Sequence, residues 1–186
     1  DPVVQATLRV VKVFWSLDAN LAYQRHFPAI NWNTSYSFYH ENLKDYYLEN
    51  ISEDWIELKD FAVEILQKEN ELQEIVQLVG LDELSSENRL IMETAKSLRE
   101  DFLHQNAFHE IDAFSSFEKD LMLLKLVRQF HHDSNNALQR GVEIQPIIDL
   151  DVREVIARFR YIEEDKCEAE FDNIGKRISN DIDALV

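Results

Sequence analysis

Only three glycines and three prolines punctuate 186 residues. Sandwiches and barrels need such residues at short, regular intervals to make their turns, so a chain this poor in them favours long uninterrupted elements, mostly helices. The length allows one main hydrophobic core, or one core with a smaller satellite. With 45% hydrophobic and 30% charged residues, the composition is that of a folded chain rather than a disordered or membrane-spanning one.

Nineteen basic side chains stand against 36 acidic ones, a formal charge of -17. That field repels phosphate backbones and anionic lipid heads, which sets nucleic acid aside as a partner. The longest apolar runs fall well short of the roughly 20 residues that cross a bilayer, and no export signal opens the chain. Membrane association is therefore expected only through other chains, without direct insertion. Cys167 has no second cysteine to pair with, and a reducing compartment is the simplest reading. The sequence starts at Asp1 and enters strand-like sequence at once, from Val3 to Trp15, and so reads as a piece of something longer.

Leu8–Trp15 is rich in β-branched and aromatic residues, the composition of a strand buried beside neighbours. Residues 19–25 suit a short helix, and Pro28 with the polar cluster after it predicts an ordered aromatic loop over 27–36. From Ser52 the period turns helical. Trp55, Leu58, Ala62, Ile65, Leu72, Val76 and Val79 form one stripe, with Ser52 as cap and Gly80 as left-handed stop. A second stripe, Ile91, Ala95, Leu98 and Phe102, comes after a turn over 81–86 and predicts an antiparallel hairpin. Ser115 with Glu118 has the spacing of a capping box opening a third helix, which carries Phe117, Leu121, Leu124 and Phe130. Pro146 interrupts the next segment. Val152, Val155, Phe159 and Ile162, then Phe171, Ile174, Ile178, Ile182 and Leu185, mark the last two stripes.

For chemistry the absences matter most. No phosphate-cradling glycine loop ending in Lys-Ser/Thr exists, nor any dinucleotide loop. His104 and His109 stand five apart, off the four-residue spacing that puts two ligands on one helical face, so no metal site is read. Acidic runs such as Glu163-Glu164-Asp165 read as solvated faces. Neither Ser115-Ser116 nor Cys167 has a base in defined geometry, so no catalytic residue is assigned.

Three segments carry a resemblance. Residues 7–18 (Thr7 to Asp18) with Arg25-His26-Phe27-Pro28-Ala29-Ile30-Asn31-Trp32 resemble the passage joining the nucleotide and helical domains in the catalytic subunits of V/A-type rotary ATPases. Glu74 to Gly80, and Asp101-Phe102-Leu103-His104-Gln105-Asn106-Ala107-Phe108, are similar to later segments of that subunit, in the same order. Asn33, Ser16 and Ser115-Ser116 depart from the family, whose more usual residues are apolar or small at the first two positions and Cys-Pro at the third.

The resemblance implies a mainly α-helical bundle with a long antiparallel hairpin, over residues 41–186. Residues 1–40, a short strand, a short helix and an aromatic loop, would be the edge of the nucleotide-binding domain. It implies that Phe27, Ala107, Phe108 and Phe114 line adenine, since a purine prefers flat, dry, polarizable walls. It implies that Asp82, Glu83, Leu84, Ser85, Ser86 and Glu87 touch the central rotor. ATP or ADP with Mg would bind the intact subunit, its phosphates held by sequence upstream of this chain, and the fragment alone would hold no cofactor and be inactive. The implied partners are the alternating non-catalytic subunits, the central stalk rotor subunits and, indirectly, the membrane ion-translocating sector, with the whole placed on the cytoplasmic side as a peripheral head. Read from the residues alone, core is the commoner place for each phenylalanine, and the tip is as readily a plain turn. A stand-alone acidic helical adaptor binding protein helices is the alternative of a different class.

Overall fold

The computed structural model describes residues 2–186; Asp1 lies outside them. Nearly all of the regular structure is helical, as the scarcity of turn residues predicts. The exceptions among the described residues are a two-residue antiparallel pairing of β1 (Val13–Phe14) with β2 (Tyr36–Ser37) and a single antiparallel bridge between Leu17 and Ile30.

The opening differs from its sequence reading. Pro2–Leu8 is a helix, α1, and only two residues of the β-rich stretch find a partner strand. A strand without a neighbour leaves its N–H and C=O groups unpaired, whereas a helix satisfies its own, and proline suits the first turn. Nor is the stretch buried: Val10, Trp15 and Leu17 are 76%, 70% and 81% exposed. A second short helix, α2 (Ala19–Tyr23), is capped by Asp18, whose carboxylate accepts from the Asn20 N–H at 2.8 Å. Then α3 (His40–Asn50), which none of the apolar stripes marks, leads into the bundle.

The bundle is built on α4 (Trp55–Val79), α5 (Ser86–Ser97), α6 (Phe117–Gln139) and α9 (Cys167–Asp183). Its 25 residues make α4 a rod on the order of 38 Å long. Asp54 rather than Ser52 stands at its N-terminal boundary, and Ser52 Oγ accepts from the Asp54 N–H instead. Gly80 does take a positive φ, +91°, though with an extended ψ of 161° rather than the left-handed helical one. The hairpin with α5 forms as expected, but the stripe on α4 stops being buried after Leu72: Val79 is 54% exposed. Its last two turns project beyond the core.

On α6 the buried row is Leu123, Leu124, Leu126, Val127, Phe130 and Ala137, while Phe117 lies on the surface. The cap is Ser116, not Ser115, with its Oγ accepting from the Lys119 N–H at 3.1 Å. Ser115 instead donates to Asp120 at 2.6 Å, and no capping box with Glu118 forms. Glu164, expected only to be solvated, closes this same cap by accepting from both the N–H and the hydroxyl of Ser116.

Pro146 does not break its segment. It sits in the first turn of α7 (Ile144–Ile148), where no intrahelical N–H is needed. Helix α8 (Val152–Arg158) comes next, and α9 lays Ile174, Ile178 and Ile182 along α6. Each of these fully buried side chains contributes about 1.5–3 kcal/mol relative to exposure. Cys167 is buried at the start of α9, its thiol facing the Ile162 and Glu163 carbonyls. Among the described residues, no helix is long and apolar enough to cross a membrane.

Candidate functional site

Two aromatic loops, far apart in sequence, meet at the end of α5. The first is pinned at its base by two crossing segments. Asp18 N–H donates to the Ala29 carbonyl at 3.0 Å, Asn31 N–H to the Ser16 carbonyl at 2.7 Å, and the Asn31 amide to the Asp18 carboxylate at 2.9 Å. That amide, with the Asn20 N–H, holds the Asp18 pKa below the usual carboxylate range. Asn31 Oδ1 also accepts from the N–H groups of Asn33 and Thr34, so the polar cluster after Pro28 is what orders the loop. The Phe27–Pro28 bond is cis.

The second loop leaves α5 through a wide turn. Over Leu98–Leu103 the helix opens to π geometry, with the His104 N–H reaching back five residues to the Arg99 carbonyl at 3.1 Å. Such turns expose carbonyls that a regular helix would occupy. Here the Arg99 carbonyl also faces His26 Nε2 at 2.9 Å, while His26 Nδ1 faces the Pro28 carbonyl at 3.2 Å. The next carbonyl, that of Glu100, accepts from Arg160. Gln105 N–H then donates to the Phe27 carbonyl at 2.7 Å, which joins the two loops directly.

Arg99 is itself fixed from α4. Glu69, only 3% exposed, receives its guanidinium at 3.0 Å. The His26 ring packs edge-on to His104 at 5.0 Å and tilted to Trp32 at 5.6 Å. Burial, with His26 and Arg160 nearby, lowers the pKa of His104. Just above, burial raises the Asp101 carboxyl to about 6 against an opposing hydrogen bond from Ser97.

Of the residues singled out for adenine, Phe27 is 52%, Phe108 100% and Phe114 80% exposed, and Ala107 is exposed. None of the three phenylalanines is a core residue of this chain. The backbones at 27 and 105 are brought together; Phe114 lies further along the same loop, past a turn in which His109 Nδ1 accepts from the Ile111 and Asp112 N–H groups. His109 is thus a capping group. Among the described residues, no group of three or more His, Cys, Asp or Glu could hold a metal ion.

The second candidate region is the hairpin tip. Asp82, Glu83, Ser85 and Glu87 are exposed, and Leu84 and Ser86 partly so. A single helical turn over Leu81–Glu83 joins to α5, capped by Ser85 accepting from the Asn88 N–H. Beside the acids, Ile75, Leu78, Val79 and Leu81 are exposed, Leu78 by 85%. Helical periodicity places Val79 in the core stripe and does not single out this apolar rim. A signal for it exists all the same, since Ile75 and Leu78 are apolar yet fall outside the stripe of Leu72, Val76 and Val79.

A cleft of about 630 Å³ lies between α4 and α6 and shares no residue with either region. Its cations are already paired, Lys125 with Asp54 at 2.6 Å and Arg128 with Glu57 at 2.8 Å. It is not where the ring-bearing loops converge.

A helical bundle with an overhanging hairpin, joined to an aromatic loop, defines a mainly α-helical domain. Residues 44–148 match the family described as the C-terminal domain of V and A type ATP synthase, and the chain belongs to that family. It is also similar along its whole length to V-type ATP synthase alpha chains: 54% identical to that of Thermoanaerobacter pseudethanolicus, 50% to that of Acetivibrio thermocellus and 52% to that of Clostridium botulinum. The chain spans 31–32% of the length of these relatives.

Proposed function

We propose that this chain is the C-terminal part of the alpha chain of a rotary ATP synthase, and that its two candidate regions serve adenine and rotor. Phe27, Ala107, Phe108 and Phe114 line the base of ATP or ADP. The phosphates and Mg belong to sequence outside this chain. Residues 1–40 complete the nucleotide-binding domain and 41–186 form the helical domain. The observation that carries the reading is the 2.7 Å hydrogen bond from Gln105 to Phe27, which joins two exposed aromatic loops at one edge of the bundle. A flat wall offered to solvent suits a purine, and stacking contributes about 1–3 kcal/mol per base.

The overhanging tip, Asp82 to Glu87 with the apolar rim beside it, meets the central stalk. A stiff rod held near its middle by Glu69 and Arg99, beside the first aromatic loop, can turn movement around nucleotide into movement at the tip. The remaining partners are the non-catalytic subunits and, through other chains, the ion-translocating sector, with the head peripheral to the membrane.

In the full-length alpha chain, Phe108→Ala is expected to weaken nucleotide binding by about 1–3 kcal/mol, measured by titration with a fluorescent ADP. Unchanged affinity would assign that ring elsewhere. In the assembled complex, charge reversal at Glu83 and Glu87 is expected to lower ATP-driven ion transport more than nucleotide affinity. The reverse pattern would remove the lever.

A further inference from the structure

The 104–114 loop is long and carries exposed rings, yet one buried cation holds it at both ends. Arg160, 9% exposed, follows the fully buried Phe159 in the connection from α8 to α9. Its Nη1 donates to the Glu100 carbonyl at 2.7 Å, at the wide turn where the loop begins. Its Nη2 donates to Asp112 Oδ2 at 2.7 Å, near the loop's end. That same oxygen accepts the Asn106 N–H at 2.6 Å, one residue before Ala107. The guanidinium also lies 5.0 Å from the centre of the Tyr161 ring, which packs on His109 at 4.6 Å. So the start, middle and end of the loop are all referred to one side chain.

Stability alone is a poor reason for such a group. A buried ion pair gains little over well-packed apolar residues, and here the Arg160 Nε is left buried with no partner at all. What the pair does supply is geometry. A planar fork with two fixed acceptors has few alternative seats. The connection that bears it is fixed in turn: the buried Lys119 donates to the Ile162 carbonyl at 2.5 Å.

We propose that Arg160 is the positioning residue of the nucleotide-base loop: through Glu100 and Asp112 it fixes where Ala107, Phe108 and Phe114 stand, and so sets affinity and base preference without touching the nucleotide. This rests on the adenine reading above. It makes the packing of α8 and α9 a determinant of nucleotide recognition.

The test uses the full-length alpha chain in its assembled complex, with ATP and GTP as substrates and Arg160→Met, Asp112→Asn and Arg160→Lys compared with Phe108→Ala. Arg160→Met and Asp112→Asn are expected to raise KM for ATP by about tenfold, with kcat within a factor of about two, as a small misplacement of a binding group does. Preference for ATP over GTP narrows in parallel. Arg160→Lys keeps the charge but reaches one anchor, and falls between. Combined with Phe108→Ala, the Arg160 change adds less than it does alone, because one of the rings it positions is gone. If Phe108→Ala raises KM while the Arg160 and Asp112 variants leave KM and base preference unchanged, or only lower the yield of complex, Arg160 is structural and the positioning role is overturned with the adenine reading intact. If Phe108→Ala itself changes neither, both fall. Where Arg160→Met does not assemble, Asp112→Asn and Arg160→Lys decide on the same criteria.

Discussion

Residues 2–51 and the helical bundle obey different rules of burial. Among the described residues before Leu58 not one is buried, and Trp15, Leu17, Tyr23 and Phe38 stand open to solvent. From Leu58 onward a continuous core runs through α4, α6, α8 and α9 to Ile182. The first region is ordered by polar pins, Asp18 to Asn31 and Ser16 to Ser35, and the second by apolar area. Hydrogen bonds place a loop, but each contributes only about 0.5–1.5 kcal/mol net, so they do not make a core. The difference teaches that polar pins can order a region that builds no core, whereas apolar burial builds the bundle.

That contrast can be broken most directly by cavities. Ile178→Ala, at a fully buried position, is expected to destabilise the chain by about 2–5 kcal/mol in urea unfolding. A loss under about 1 kcal/mol would mean that α9 is not part of the cooperative core.

Two titrating groups sharpen the contrast from inside. Burial lowers His131 to about 4, with Lys68 and His132 adding to it. Stability from keeping this imidazole neutral is present above about pH 6.5 and is lost as pH falls through about 4. Asp101, raised to about 6, has the opposite sign: its favourable neutral form is present below about pH 3.8 and is lost as pH rises through about 6. Asp101→Asn is therefore expected to gain, relative to the parent, on the order of 1–3 kcal/mol at pH 7 and nothing near pH 3. His131→Leu gains relative to the parent as pH falls from about 6.5 to about 4. Unfolding midpoints across this range, read as variant minus parent, check both. A variant curve parallel to the parent's removes that group from the balance.

The smallest effect belongs to the first region. Trp15→Ser is expected to leave the stability of this chain within about 0.5 kcal/mol, since the ring is 70% exposed. A larger loss in the full-length subunit, by the same unfolding measurement, would identify Trp15 as a contact with the rest of that protein.

The helical class, the hairpin and the last two stripes could be read from periodicity because they depend on spacing along one chain. The exceptions share a cause. Leu8–Trp15 has strand composition, but strands form only where a partner exists, and here only Val13–Phe14 finds one, in β2. Phe117 and Val79 keep the helical period yet lie beyond the ends of neighbouring helices. At the candidate site the exposed phenylalanines were legible through the resemblance, while the groups that hold their loops were not. Arg160 meets Asp112 across 48 residues and His26 meets Arg99 across 73, and such pairings leave no local pattern. Glu69 did leave one, a charge inside an apolar stripe between Ile65 and Leu72.

The wide turn over Leu98–Leu103 is, in register, a single surplus residue carried by a helix. Excising one position there would let α5 run on as an ordinary helix, with everything downstream rotated by about 100°. The carbonyls now offered to His26 and Arg160 would be drawn back into the ladder, and both ring-bearing loops would come adrift together. A deletion at this spot is therefore predicted to be far less tolerated than one in the acidic tip, whose residues anchor no other described segment's backbone.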